Sequence, residues 1–308
     1  MSNKKSGKST AVFPMFLMGG LFVVIHSLSM LIMQPFEATG LDVFDNPNDP
    51  VNLLVFFAIM LVVTVTILLI AKFWKKQFIQ VIILGSISYT TFFVFYTLLS
   101  FVVTANLALL LSVIVAAILV VALVKYPEWY IIDLTGIIVG VGAIGIFGIS
   151  LSIFLVIVLL IGLSIYDAIS VYKTKHMIDL ADAVMDLRLP VMLVVPKVRT
   201  YSLLKETKGI KEKLEGDEER EAFFLGLGDI VMPGILVVAA FYNITDNGLL
   251  IALSVMLGTL IGFAVLMSVV IKGKPQAGLP YLCSGAILGY VVSSLLLFGE
   301  LAGLVLPF

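Results

Sequence analysis

The chain has 308 residues, of which 61% are hydrophobic and 13% are charged, and its mean hydropathy is +1.16. These values exclude a soluble globular domain and predict an all-α polytopic membrane protein. The net charge of -1 argues against a nucleic-acid partner. One cysteine and two histidines argue against a disulfide and against a metal site, and we expect no cofactor.

Nine stretches reach the roughly 20 mainly apolar residues that a membrane-spanning helix needs. The first follows a short basic segment and contains no small-residue cleavage site, so we predict a retained span and no cleaved signal peptide. The fifth is rich in glycine, which predicts close packing against neighbouring helices. The predicted spans are residues 11–33, 51–71, 78–103, 105–124, 130–149, 151–172, 221–242, 249–271 and 279–300.

The basic residues predict the orientation of these spans. All 19 lysines and arginines fall in the N-terminal segment or in loops on the same side of a nine-span arrangement. The opposite loops, such as QPFEATGLDVFDNPNDP, contain acids and no basic residue. The positive-inside rule therefore predicts a cytoplasmic N-terminus, an external C-terminus and a multi-pass location in the cell membrane.

The longest connection divides the chain into three parts. We expect a six-helix part (1–172), a cytoplasmic loop that is partly disordered (173–220) and a three-helix part (221–308). Within the loop, the segment LPVMLVVP (189–196) is too short to span the membrane, and its valines favour an extended segment or an interfacial turn over a long helix.

Two aspartates lie inside predicted spans. Asp167 belongs to LSIYDAISVY on the sixth span and Asp229 to LGLGDIVMPG on the seventh, whereas Asp133 and Glu300 lie near span ends and are expected to reach water. Burying a charge at the bilayer centre costs at least roughly 2.5–3.5 kcal/mol, so an acid there is a candidate functional residue. The two spans are antiparallel neighbours. At 1.5 Å per residue, both carboxyls are expected about 9–12 Å from the cytoplasmic helix ends.

Two carboxyls in contact in a low-dielectric site would share one proton. Aspartyl proteolysis needs that state, because one carboxylate takes a proton from water while the protonated partner donates to the peptide. Gly226 and Gly228 leave space beside Asp229, and Pro233 removes the donor for the Asp229 carbonyl, which predicts a loosened turn. These residues alone leave two alternatives open: a pair that only fixes helix packing, or ion-binding carboxylates of a transporter.

The motifs around the aspartates resemble those of a known family. Tyr166-Asp167 and Gly226-Leu227-Gly228-Asp229 are similar to the YD and GxGD motifs of the presenilin and signal peptide peptidase family of intramembrane aspartyl proteases. The family's Pro-Ala-Leu motif corresponds to Ala277, Gly278 and Leu279 in KPQAGLPYL, where the proline is missing and glycine replaces alanine. The resemblance implies that Asp167 and Asp229 form the catalytic dyad. It also implies substrate-binding or supporting roles for Tyr166, Gly226, Leu227, Gly228, Ala277, Gly278, Leu279 and Pro280.

The predicted orientation is similar to that of the presenilin branch. The resemblance therefore implies a microbial presenilin-like homologue that cleaves single-span transmembrane substrates in the lipid bilayer. It implies independence from accessory subunits and leaves the oligomeric state open. The alternative is a proton- or cation-coupled secondary transporter that uses the same two aspartates, although the sequence shows no inverted repeat.

The resemblance also suggests how a substrate could bind. An unwound substrate segment must find new backbone partners. We hypothesise that LPVMLVVP lies over the dyad, and that it or the Ala277–Leu279 loop pairs with the substrate edge to edge. The alternative for LPVMLVVP is a re-entrant packing segment. His26 is expected to be a packed or hydrogen-bonded helix residue and not a catalytic base.

Overall fold

The structure is a computed structural model that describes residues 6–41, 43–44, 46–73, 76–174, 190–198, 201–203, 222–270 and 276–306. These residues form nine α-helices, which we number in chain order. They are α1 (Ser6–Ala38), α2 (Val51–Phe73), α3 (Lys76–Ser100), α4 (Ala105–Lys125), α5 (Trp129–Ser150), α6 (Ile153–Ile169), α7 (Leu227–Asn243), α8 (Gly248–Val270) and α9 (Leu279–Phe298). Each predicted span overlaps one of them.

The helices support a polytopic membrane fold. Within the described residues, seven helices are long and apolar enough to cross a membrane, and α2 and α7 contribute shorter apolar helices. The prediction of an all-α membrane protein is therefore confirmed. Most of the predicted loop 173–220 lies outside the described residues.

A π-helical turn and a small sheet accompany the helices. The turn, Ser170–Thr174, continues α6. Strands β1 (Met192–Pro196) and β2 (Ala222–Gly226) pair antiparallel, with Met192 opposite Gly226 and Pro196 opposite Ala222. We call this pair the β1–β2 ribbon. Within LPVMLVVP, the predicted extended conformation is confirmed for Met192–Pro196, and Pro190 and Val191 form a turn before it. Leu189 lies outside the described residues.

The ribbon changes the start of the seventh span. The sequence analysis placed helix from residue 221, but Ala222–Gly226 is a strand and α7 begins at Leu227. That boundary was wrong because the backbone groups of this segment find partners in β1, which hydropathy cannot reveal. Asp229 consequently lies in the first turn of α7, and the depth estimated from a longer helix does not apply.

Helix α5 is surrounded by α1, α3, α7 and β1. Its glycines face side chains from all four elements, so that an added Cβ would meet another residue at distances of 2.5–3.3 Å. The predicted close packing of α5 is confirmed. The glycines and their nearest neighbours are Gly136 with Leu193, Gly140 with Leu227, Gly142 with Val94, Gly145 with Phe36, and Gly148 with Val238.

Helices α8 and α9 approach each other more closely still. An added Cβ on Gly258 would overlap the Gly285 carbonyl oxygen, and one on Gly285 would overlap the Gly258 carbonyl oxygen. Gly262 and Gly289 have the same relation to carbonyls of the opposite helix. The contact is therefore backbone against backbone. Its signal in the sequence, the GxxxG spacing in both GTLIG and GAILG, was not recognised in the sequence analysis.

Candidate active site

Asp167 lies at the C-terminal end of α6, where the helix changes to the π-helical turn. Its side chain is only 7% exposed. The Asp167 Oδ2 atom accepts a hydrogen bond of 3.1 Å from the backbone N–H of Leu279, at the start of α9. The carboxyl of α6 is thus attached directly to the loop before α9.

Asp229 lies in the first turn of α7, where the positive end of the helix dipole favours an acid. Its half-buried carboxyl touches two glycines. An added Cβ on Gly226 would lie 3.3 Å from Asp229 Oδ2, and one on Gly278 would lie 3.0 Å from the same atom. Gly226 and Gly278 therefore leave the space that the Asp229 carboxyl occupies.

The Ala277–Leu279 loop brings the two acids together. Gly278 lies against Asp229, and the next residue, Leu279, donates to Asp167. Two acids from separate helices therefore share one short loop segment.

The remaining predicted site residues differ in exposure. Tyr166 is 63% exposed although its neighbour Asp167 is buried, so the two side chains leave α6 in different directions. Pro280 occupies the first turn of α9, where its missing N–H costs least. Ala277 and Gly278 are buried. Gly228 is exposed, and the remaining residues are half-buried: Gly226, Leu227, Leu279 and Pro280.

Two further residues of α6 and its π-helical turn bind the Ala277–Leu279 loop or the residue before it, and the sequence analysis did not identify them. The Ser164 hydroxyl donates to the Leu279 carbonyl at 3.4 Å, and the Tyr172 hydroxyl donates to Gln276 Oε1 at 2.8 Å. Ser164 lies three residues before Asp167, on the same helix face. That spacing was the available signal for Ser164. Tyr172 gave none, because its partner lies 104 residues away.

Both edges of β1 are occupied at its centre. On one edge lies β2. On the other, Asp133 Oδ1 of α5 accepts a hydrogen bond of 2.7 Å from the Val194 N–H. Asp133 is only 9% exposed, so the expectation that it reaches water was wrong, because β1 covers the N-terminal end of α5.

His26 of α1 supports α7 near the aspartate. It is fully buried, and its Nε2–H donates to the carbonyl of Ile230 at 3.0 Å. The prediction of a hydrogen-bonded helix histidine is confirmed. Pro233 lies inside α7, three residues beyond Ile230, so His26 supplies a donor close to the proline.

The described residues contain no group of three or more His, Cys, Asp or Glu side chains that could hold a metal ion. A membrane-embedded helical bundle in which two acids meet over one loop is an arrangement suited to aspartyl proteolysis.

Comparisons with known proteins agree with this class. The model of the family described as signal-peptide peptidase, presenilin aspartyl protease matches residues 19–299. Two solved structures, both described as a presenilin family intramembrane aspartate protease, are 32% identical to the chain. The one in space group C222 has a TM-score of 0.69 and aligns over 92% of this chain and 99% of its own. The one in space group P2 has a TM-score of 0.65 and aligns over 91% and 96%, respectively.

No curated protein sequence is significantly similar to the chain. The family match and the two structures identify the class of protein as an intramembrane aspartic endopeptidase. The chain belongs to the signal peptide peptidase and presenilin family. The transporter alternative finds no support in these comparisons.

Proposed function

We propose that Asp167 and Asp229 are the catalytic dyad, and that the protein uses them with water to hydrolyse peptide bonds inside single-span transmembrane substrates. The observation that supports this assignment is the contact of Gly278 with Asp229 and of Leu279 with Asp167. Because both carboxyls lie against the same short backbone segment, they face one common site.

The reaction needs the two acids in different protonation states. One carboxylate removes a proton from water as the water oxygen attacks the peptide carbonyl carbon. The other, protonated acid donates its proton to the carbonyl oxygen, and the tetrahedral intermediate collapses as the leaving nitrogen gains a proton. No metal or cofactor enters these steps.

The surrounding residues are proposed to position substrate and acids. An added Cβ on exposed Gly228 would meet nothing within 4 Å, so this position leaves space for a substrate backbone. Gly226, Leu227 and the Ala277–Pro280 segment are proposed to support the dyad. Tyr166 is exposed on α6 and is proposed to contact the substrate helix.

The ribbon refines the earlier pairing hypothesis. Since Val194 already donates to Asp133, the centre of β1 has no free edge for a substrate. In an antiparallel pair the backbone N–H and C=O groups of alternate residues point away from the partner strand, and half-buried Phe224 at the centre of β2 is such a residue. We therefore propose that an unwound substrate pairs with the outer edge of β2 and not with LPVMLVVP itself.

We further propose that the N-terminus is cytoplasmic, the C-terminus external, and the loop 173–220 cytoplasmic, as the basic residues predict. Substrates would then be single-span proteins with an external N-terminus. The domain organisation 1–172, 173–220 and 221–308 and the independence from accessory subunits also remain proposals.

Purified protein and a single-span substrate test the dyad. Asp167→Ala and Asp229→Ala should each reduce cleavage by at least about a thousandfold while the thermal midpoint shows a folded protein. Glu300→Gln is the matched control, because it removes an exposed acid just beyond α9 and should cleave normally. Cleavage by either alanine variant would refute the assignment. Ion flux into liposomes without cleavage would instead favour a transporter.

A further inference from the structure

We propose that Asp133 is a positioning residue for this protease: its carboxyl clamps the outer edge of β1 to α5 and so holds the β1–β2 ribbon that leads into Asp229. The inference rests on the proposed function, in which Asp229 is catalytic. Asp133 would act through the ribbon and would not touch the substrate.

The backbone pattern of the ribbon explains why β1 needs this clamp. The Leu227 N–H donates to the Val191 carbonyl at 3.0 Å. In an antiparallel ladder this bond means that the backbone N–H and C=O groups of Val191, Leu193 and Val195 point toward β2. Val194 therefore points its N–H away from β2. In this buried position the N–H requires a partner, and Asp133 supplies it at 2.7 Å.

A second acid, at the N-cap of α5, binds the chain beyond β1. Glu128, the residue before α5, accepts hydrogen bonds from the Ser202 hydroxyl at 2.6 Å and from the Leu203 N–H at 3.1 Å. Asp133 and Glu128 thus bind two points of residues 190–203. The cytoplasmic end of α5 is the surface to which this segment is attached.

Apolar contacts also hold the β1–β2 ribbon against α5. Leu193 occupies the space beside Gly136, where an added Cβ would lie 2.6 Å from Leu193 Cδ2. Val194 contributes to a small buried cluster formed by α3, α4, α5, the β1–β2 ribbon and residues 201–203, with members Ile87, Leu123, Ile132, Val194, Tyr201, Leu203 and Ala222. The ribbon is therefore seated on α5 in one register, because a slip of one residue would turn Leu193 away from Gly136 and Val194 away from Asp133.

The contact between the β1–β2 ribbon and α5 is connected to the dyad by two short links. β2 ends at Gly226, which touches the Asp229 carboxyl, and α7 begins at Leu227, which is bonded to Val191 of the chain before β1. A shift of β1 is therefore transmitted to residues two or three positions from Asp229. Since small displacements of reacting groups lower the rate strongly, loosening the clamp should reduce kcat.

Hydrogen–deuterium exchange of the full-length protein, without substrate, tests the clamp itself. Asp133→Ala should increase the exchange rate of the Val194 amide and its β1 neighbours at least about tenfold. Asp133→Asn keeps an acceptor oxygen and should retain most of the protection. Wild-type protection in Asp133→Ala, or loss of protection in Asp133→Asn, would overturn the clamp.

Steady-state kinetics test the positioning role. In Asp133→Ala we expect kcat to fall about tenfold with KM within about threefold, and Asp133→Asn should restore kcat. A variant that merely unfolds more easily would instead lose active enzyme without a change of kcat per active molecule. Faster exchange with an unchanged kcat would overturn the positioning role.

Val194→Pro removes the donor instead of the acceptor, and this N–H is not used in the ladder with β2. The variant has no amide proton at residue 194, so the expected effects are faster exchange of the neighbouring β1 amides and the same fall in kcat. The double variant should lose no more activity than either single variant, since both remove the same bond. Fully additive losses would overturn the proposal. Val194→Pro also replaces Asp133→Ala if the latter fails to fold.

If the wild-type protein cleaves no substrate, the proposed function fails, while the exchange experiment still decides the clamp.

Discussion

The contact between α8 and α9 and the contact between α5 and the β1–β2 ribbon both depend on glycine, but they differ in what the glycine faces. Gly258 and Gly285 face each other's carbonyl oxygens, so backbone lies against backbone. Gly136 of α5 faces the tip of the Leu193 side chain. The first contact has no side chain that could rotate out of the way, whereas the second does.

This difference separates a rigid part of the site from an adjustable one. α9 carries the Ala277–Leu279 loop at its N-terminus, so close packing of α9 on α8 holds the loop that both carboxyls touch. The ribbon that leads to Asp229 instead depends on side-chain packing and on the hydrogen bond from Val194 to Asp133. We therefore expect substitutions in α8 and α9 to affect folding, and substitutions around the ribbon to affect mainly the position of Asp229.

The largest effect is expected for Gly258→Ala and Gly285→Ala. Each added methyl would overlap a carbonyl oxygen, and the helices must separate to admit it, which should cost about 3 kcal/mol or more of stability. Thermal unfolding of the purified protein measures the loss. Gly20→Ala in α1 is the control, because an added Cβ there meets nothing within 4 Å. Equal stability of all three variants would show that the α8–α9 contact is not rigid.

A smaller effect, on rate, is expected for Gly278→Ala. Its Cβ would lie 3.0 Å from Asp229 Oδ2, and since α9 holds the loop, the Asp229 carboxyl must move by a few tenths of an ångström. We expect kcat to fall about threefold to tenfold, given that a 1 Å displacement can cost roughly a hundredfold. The thermal midpoint should stay close to that of the wild type. Gly85→Ala, at an open position of α3, is the matched control, and equal kcat in both variants would show that the loop yields instead of Asp229.

The smallest effect is expected for Gly136→Ala. Its Cβ would meet the flexible end of Leu193, so the side chain can partly move aside and the loss should be about 1 kcal/mol. Adding Leu193→Ala removes the clashing atoms, and the double variant should lose less stability than the sum of the two single variants. If the losses of stability measured by thermal unfolding were strictly additive, the Leu193 side chain would not be the group that opposes a larger residue at position 136.

Several features of the fold could be predicted because they depend on local sequence. The apolar runs predicted a helix at all nine spans, and the glycine run of α5 predicted its close packing. The start of α7 could not be placed, since Ala222–Gly226 is apolar enough to continue a helix and becomes a strand only because β1 lies beside it. The GxxxG spacings of α8 and α9 were visible in the sequence, but not which helices they join.

The candidate site was predictable to a similar extent. The positions of Asp167 and Asp229 followed from acids in apolar spans and from the resemblance of their motifs, whereas their catalytic role stays a prediction. Asp133 was assigned to water on its distance from a helix end, and the structure buries it against Val194, 61 residues later in the chain. Ser164 was missed although it lies on the same helix face as Asp167, and Tyr172 was missed because its partner Gln276 lies 104 residues away.

By itself, the amino-acid sequence determined that this protein is a bundle of membrane helices with two acids in adjacent spans. Hydropathy and short motifs carry that information within about 20 residues of chain. Only the tertiary structure decided that Gly278 and Leu279 lie on the two carboxyls, and that α5 holds the β1–β2 ribbon through Asp133. These contacts join distant segments, so they arise from the packing of whole helices and leave no periodic signal in the sequence.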